Sequence, residues 1–180
     1  MKIGLIGEDP NDTAAIANLL KLKFDHQFVP VIKKRAKGDQ LENSKFTKLL
    51  KAQLIADNYD LLIFIRDLDG FDNEDLKVKA RMDWFSRNSK HFEGHSLFLI
   101  NIQELEAIFF ADVENLNKIF NLGVKFKNPL SVSKPKETLK RLTNEKYHEN
   151  KAADYISKLT YDTVLKNYKP LKEIDGYLKV

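Results

Sequence analysis

The stretch DLLIFIR (60–66) constrains this chain more than any other. Its five consecutive apolar residues cannot alternate between core and water, so a strand here must be covered on both faces. Helices lying on each side of a parallel sheet provide that cover. The flanking sequence agrees. KIGLIG (2–7), HQFVPVI (26–32) and HSLFLIN (95–101) read as three further strands, with Pro30 marking the second as an edge strand. Between them, apolar residues recur at helical spacing: Ala15, Ile16, Leu19, Leu20 and Phe24 behind a cap at Asn11 or Asp12; Leu49, Leu50, Ile55 and Ala56 on a helix starting near Glu42; and Leu76, Ala80, Trp84 and Phe85. Four strands with three helices between them predict an α/β fold, a mostly parallel Rossmann-like sheet flanked by helices.

Beyond residue 101 the strand signals stop. ELEAIFFAD (104–112) reads as helical, VENLNKIFNLG (113–123) as a helix closed by Gly123, and a loop (125–135) leads into further helices. The expected organisation is an α/β core over 1–112 with a C-terminal helical subdomain, 113–180, packed on it. The absence of cysteine excludes disulfides and thiolate zinc sites. No apolar run approaches the ~18 residues of a membrane span, and the five residues before the first acidic turn are too few for a signal peptide. The sequence therefore reads as cytoplasmic.

Acids mark the carboxyl ends of the strands, where α/β proteins place functional groups. Glu8 and Asp9 follow the first strand, Asp67 and Asp69 the third, and Glu104 and Glu106 lie just past the fourth. If the chain stays extended through RDLDG (66–70), Asp67 and Asp69 project together while Leu68 turns back to the core. Side-by-side carboxylates repel unless a proton or cation lies between them. With Glu8 arriving from the neighbouring strand, they form a hard oxygen site suited to Mg²⁺ or Mn²⁺, and to metal-assisted phosphodiester chemistry. Turn-forming accounts exist for each acid singly: Asp-x-Asp-Gly opens turns, Glu8 and Asp9 suit a helix N-terminus, and Asn101 to Glu104 matches a capping box. On a regular helix Glu106 would lie about 200° from Glu104, so both could not face one ion.

The net charge of +4 divides evenly: residues 1–90 carry 16 basic and 14 acidic side chains, so neither half is the basic one. Basic residues cluster locally at Lys33, Lys34, Arg35 and Lys37, after the second strand and so on the edge that bears the acids. Lys125 to Lys151 holds eight basic residues against three acidic, including Lys136 and Lys151. These positions suit a phosphate backbone approaching the acids. Tyr147, Tyr155 and Tyr161 could stack on bases, although aromatic residues at helical spacing more often belong to a core. His26, His91, His95 and His148 show no metal-ligand spacing and read as structural or solvent-facing.

In this order, GEDPND (7–12), RDLDG (66–70) and NIQELEAIFFAD (101–112) resemble the motifs of the topoisomerase–primase (TOPRIM) fold, and in particular small stand-alone prokaryotic TOPRIM proteins related to nucleases of the overcoming-lysogenization-defect class. PKETL (135–139), Tyr147 and KAA (151–153) extend the resemblance over most of the chain. Ile108 departs from it, standing where an aromatic residue is usual. The resemblance implies Glu8 as general acid/base or metal ligand, Asp67 and Asp69 as the metal-binding pair, and Glu104 and Glu106 as additional acids. It further implies a nuclease acting on nucleic acid, DNA in preference to RNA, in a defence or mobile-element setting and beside an ATPase partner. Two other functions compete. A binding subunit could retain the acids without turnover. A phosphate-accepting receiver domain shares acids after strands one and three, but it needs a hydroxyl residue after strand four, where this chain has Asn101, and a lysine after a fifth strand.

Overall fold

The computed structural model describes residues 1–32, 44–90, 92, 94–128 and 131–179. Its centre is a four-stranded sheet of β1 (Lys2–Ile6), β2 (Gln27–Pro30), β3 (Leu61–Asp67) and β4 (Ser96–Asn101) in the order β2-β1-β3-β4. All three strand pairings are parallel, as the apolar run in β3 predicts. Pro30 lies on the edge strand β2, where a missing N–H costs no central ladder bond.

Helices α1 (Pro10–Lys21), α2 (Ser44–Asp57) and α3 (Asp75–Ser89) connect the strands. The expected helix start near Glu42 lies outside the described residues. After β4 come α4 (Ala107–Ala111), α5 (Val113–Phe120), α6 (Pro135–Leu142), α7 (Ala152–Ile156), α8 (Tyr161–Asn167) and α9 (Lys172–Leu178). The helix expected over 104–112 is thus shorter, beginning only at Ala107. Its neighbour α5 is closed by Asn121 in the left-handed conformation (φ 55°), not by Gly123. Asn tolerates that conformation because its short amide bonds locally. Asp112 accepts from the Asn115 and Thr160 amides, so one buried carboxylate caps α5 and ties it to the start of α8.

The alternation of side chains along the strands separates two hydrophobic clusters. Ile3, Leu5, Leu61, Ile63 and Ile65 face α1 and the C-terminal helices, in one continuous core that reaches Leu178. Ile6, Leu62 and Phe64 face the other way, onto Leu50 and Leu54 of α2 and Trp84 of α3. The region after residue 112 therefore shares one face of the sheet with α1 and Ala107–Ala111. Among the described residues, no helix is long and apolar enough to cross a membrane.

Candidate acid cleft at the sheet edge

Local geometry at the end of β1 brings α1 against β3. Asp9, not Asn11 or Asp12, is the N-cap: its carboxylate accepts from the Asn11 amide at 2.8 Å, and Pro10 occupies the first helical position. Gly7 permits the close approach, because a methyl there would meet Thr13 Cγ2 at 2.8 Å. Released from capping, Asp12 stands four residues beyond Glu8, on the same side of the chain. Asp12 then lines a cleft of about 80 Å³ together with Gly7, Glu8, Arg66, Asp67 and Asp69.

The third strand ends on the expected acids, but by a different geometry. Leu68 is buried as predicted. Extended backbone stops at Asp67, however, and Asp69 adopts the left-handed conformation (φ 55°), so a turn and not the pleat returns its side chain to the cleft. This turn is pinned to the loop after β4, where the Asp69 amide donates to the Gln103 carbonyl and the Gln103 amide to that of Gly70.

Two of the cleft acids carry guanidinium partners. Arg66, buried and stacked 4.8 Å over the Trp84 ring, reaches Glu8 at 2.5 Å. Arg81 donates to Asp69 at 2.8 Å and, through Nε, to the Asp67 carbonyl at 2.9 Å.

Asp12, Asp67 and Glu106 have no side-chain guanidinium partner among the described residues. Burial, with Asp9 and Glu106 nearby, pushes the Asp12 carboxyl up to about 7. Asp67 is held well above the usual carboxylate range by burial and then by Asp12; the 3.0 Å hydrogen bond from the Asn101 amide opposes this without overcoming it. Asn101 is itself fixed by the buried Tyr168, whose hydroxyl donates to its side-chain carbonyl at 3.1 Å. Glu106 is buried and raised by burial, although Lys136 and a 2.9 Å hydrogen bond from the Tyr147 hydroxyl both favour its charged form.

Glu104 and Glu106 both precede the helix, so the 200° helical separation does not apply to them. The capping box expected over 101–104 is not formed. Asn101 belongs to β4, and Glu104 instead accepts from the Lys136 amide at 3.1 Å, satisfying the first turn of α6. Lys136 is drawn into this acid group. Burial works against its charge, yet Glu106, Glu149, Glu104 and Asp12 outweigh it and hold the ammonium above its ordinary pKa. It serves these acids as an internal countercharge. Lys151 is exposed in a short 3₁₀ turn, while Lys33, Lys34, Arg35 and Lys37 lie outside the described residues. Tyr147 and Tyr161 are core residues, which does not suit them to stacking on bases, and Tyr155 is half-buried against Phe120. His26 stacks on Phe24, and His95 and His148 are exposed.

Among the described residues, no three acidic or histidine side chains converge on a single ion position. The donor set that fits a hard cation is smaller: Asp12 and Asp67, oxygen donors only, both disfavoured as anions by burial and by neighbouring acids. Mg²⁺ keeps much of its water and typically takes one or two protein carboxylates, which matches this pair. Glu8 and Asp69 border the same cleft but are held by arginines. Asp12 was legible in principle, since Asp9-Pro10 is the N-cap pattern and leaves Asp12 without a capping role. The contributions of Asn101 and Tyr168 depend on long-range packing and left no local signal.

No family model, curated protein or solved structure matches the chain. What the cleft can do is therefore read from its own residues.

Proposed function

We propose that the chain is a TOPRIM-like, divalent-metal-dependent phosphodiesterase acting on nucleic acid in the cytoplasm, with Mg²⁺ or Mn²⁺ held at Asp12 and Asp67. One observation carries this reading. Two carboxyls in one cleft at the carboxyl edge of a parallel sheet are both raised, Asp12 by burial with Asp9 and Glu106 nearby and Asp67 by burial and then Asp12, and a cation held in that cleft would relieve both. Asp12 and Asp67 would hold the ion, which when bound would supply positive charge to a phosphate oxygen and lower the pKa of a water. Arg66 and Arg81 hold Glu8 and Asp69 in place at the rim. Asn101 and Tyr168 orient Asp67, and Lys136 limits the negative charge behind the cleft. DNA as the preferred substrate and an ATPase as partner follow from the sequence resemblance and belong to the same proposal.

A second reading, a binding subunit without turnover, is favoured by the pairing of Glu8 with Arg66 and of Asp69 with Arg81. An ion needing either carboxylate would have to displace a guanidinium.

Calorimetry and thermal melting with Mg²⁺ and Mn²⁺ test both. Wild type should gain about 2.7 kcal/mol at 100 times the dissociation constant, and Asp67→Asn and Asp12→Asn should lose that gain. Saturable binding with cleavage of labelled single- or double-stranded DNA or RNA supports the enzyme. Binding without cleavage of any of them supports the silent subunit. The same melting response in wild type and both variants would sink the metal site.

A further inference from the structure

Next to the acid cleft lies a larger one, of about 580 Å³, whose wall includes Phe71, Lys127, Lys166, Asn167, Lys169 and Lys172. Its four lysines are exposed, and Asp72 is the single acid on its wall. None of the four forms an ion pair among the described residues, whereas Lys77, Lys118, Lys134, Lys136, Lys140 and Lys179 are all paired with carboxylates. Unpaired like charges gathered on one wall repel each other and attract polyanions. Lys166, Lys169 and Lys172 come from the end of α8, the 3₁₀ turn after it and the start of α9, spaced three residues apart. Lys127 faces them from the loop before α6. Phe71 adds a half-buried ring on the same wall.

We infer that this second cleft binds a single strand of nucleic acid, with its phosphates on Lys127, Lys166, Lys169 and Lys172 and a base stacked on Phe71. The inference rests on the nucleic-acid reading above and names its binding track. Continuity with the acid cleft supports it. Asp69 lines one cleft and Phe71 the other, two residues apart and so separated by at most about 7 Å of chain. The loop at 69–71 thus borders both clefts. A single strand is favoured over a duplex because an aromatic wall can stack only on bases that are not stacked within a helix.

The test measures binding of a fluorescent oligonucleotide in metal-free buffer containing chelator, so that hydrolysis plays no part. Four phosphate contacts on a single strand give a salt slope of about −3, roughly a 50-fold loss of affinity from about 50 to about 200 mM salt. Replacing Lys127, Lys166, Lys169 and Lys172 together by Gln should remove that share of the slope. Replacing the exposed Lys21, Lys48, Lys79 and Lys90, which line neither cleft, should leave most of it. Phe71→Ala should weaken binding roughly 5- to 150-fold with the slope unchanged. Melting curves identify any variant that fails to fold, and single Lys→Gln changes, each removing about 0.7 of slope, then take its place. Equal losses in the two quadruple variants, or tighter binding of a duplex than of the single strand, overturn the inference. Hydrolysis measured beside binding separates the two proposals: lysine-dependent binding with no hydrolysis by wild type counts against the hydrolytic reading alone, while hydrolysis that Asp67→Asn abolishes but the lysine variants leave unchanged counts against this one alone.

Discussion

The two faces of β3 end in opposite ways. Toward α2 and α3 the strand finishes on Arg66, a buried cation that stacks on Trp84 and neutralises Glu8. Toward α1 and the C-terminal helices it finishes on Asp67, a half-buried carboxyl with no side-chain ion pair among the described residues, raised by desolvation and by Asp12. One residue of strand separates a settled electrostatic arrangement from an unsettled one. The lesson is that acids on one edge of one sheet are not equivalent: those with an arginine serve the fold and the rim, and those without one are poised to take up a proton or a cation.

The largest effect should come from breaking the settled side. Trp84→Ala removes the largest fully buried side chain and the ring beneath Arg66, and should cost about 3–5 kcal/mol in urea unfolding. A loss below about 1 kcal/mol would mean that the α3 face contributes little to holding Arg66.

The unsettled side should reveal itself through pH. Because the Asp12 carboxyl is raised in the folded state, from near 3.8 to about 7, the fold favours its protonated form. Stability from this group is full below the unfolded value, falls as pH rises from about 4, and stops falling above about 7. Between pH 5 and pH 8 wild type should lose about 2–3 kcal/mol that Asp12→Asn does not lose, measured by chemical denaturation at both values. Parallel pH profiles for the two proteins would show that Asp12 is as well solvated as an ordinary surface acid.

A smaller change should sharpen the contrast. Tyr168→Phe deletes the donor to Asn101, leaving a buried carbonyl unpaired at a cost of about 1 kcal/mol. With Asn101 less firmly held, the Asp67 carboxyl should move further upward, as followed by NMR titration. An unchanged Asp67 titration would show that Asn101 is fixed by other contacts.

Much of this molecule was legible before any coordinates. The unbroken apolar run in β3, the alternation of strands with helical spacing and the acids at strand ends specify a parallel sheet with charged groups at its carboxyl edge, because burial on two faces and periodicity of 2 or 3.6 are properties of the chain itself. Asp67 and Asp69 were located in this way, as was Pro30 on an edge strand. The partner of each acid was decided only by tertiary structure. Arg66 reaches Glu8 across neighbouring strands, Arg81 reaches Asp69 from α3, Glu104 caps a helix 32 residues later, and Tyr147 and Tyr168 meet Glu106 and Asn101 from the far end of the chain. The lysine wall forms in the same way, from segments around residues 127 and 166–172 brought beside the loop at Phe71. Local pattern fixes which face a residue occupies, while a carboxyl's charge depends on desolvation and on cations distant in sequence, and these exist only once the chain has closed on itself.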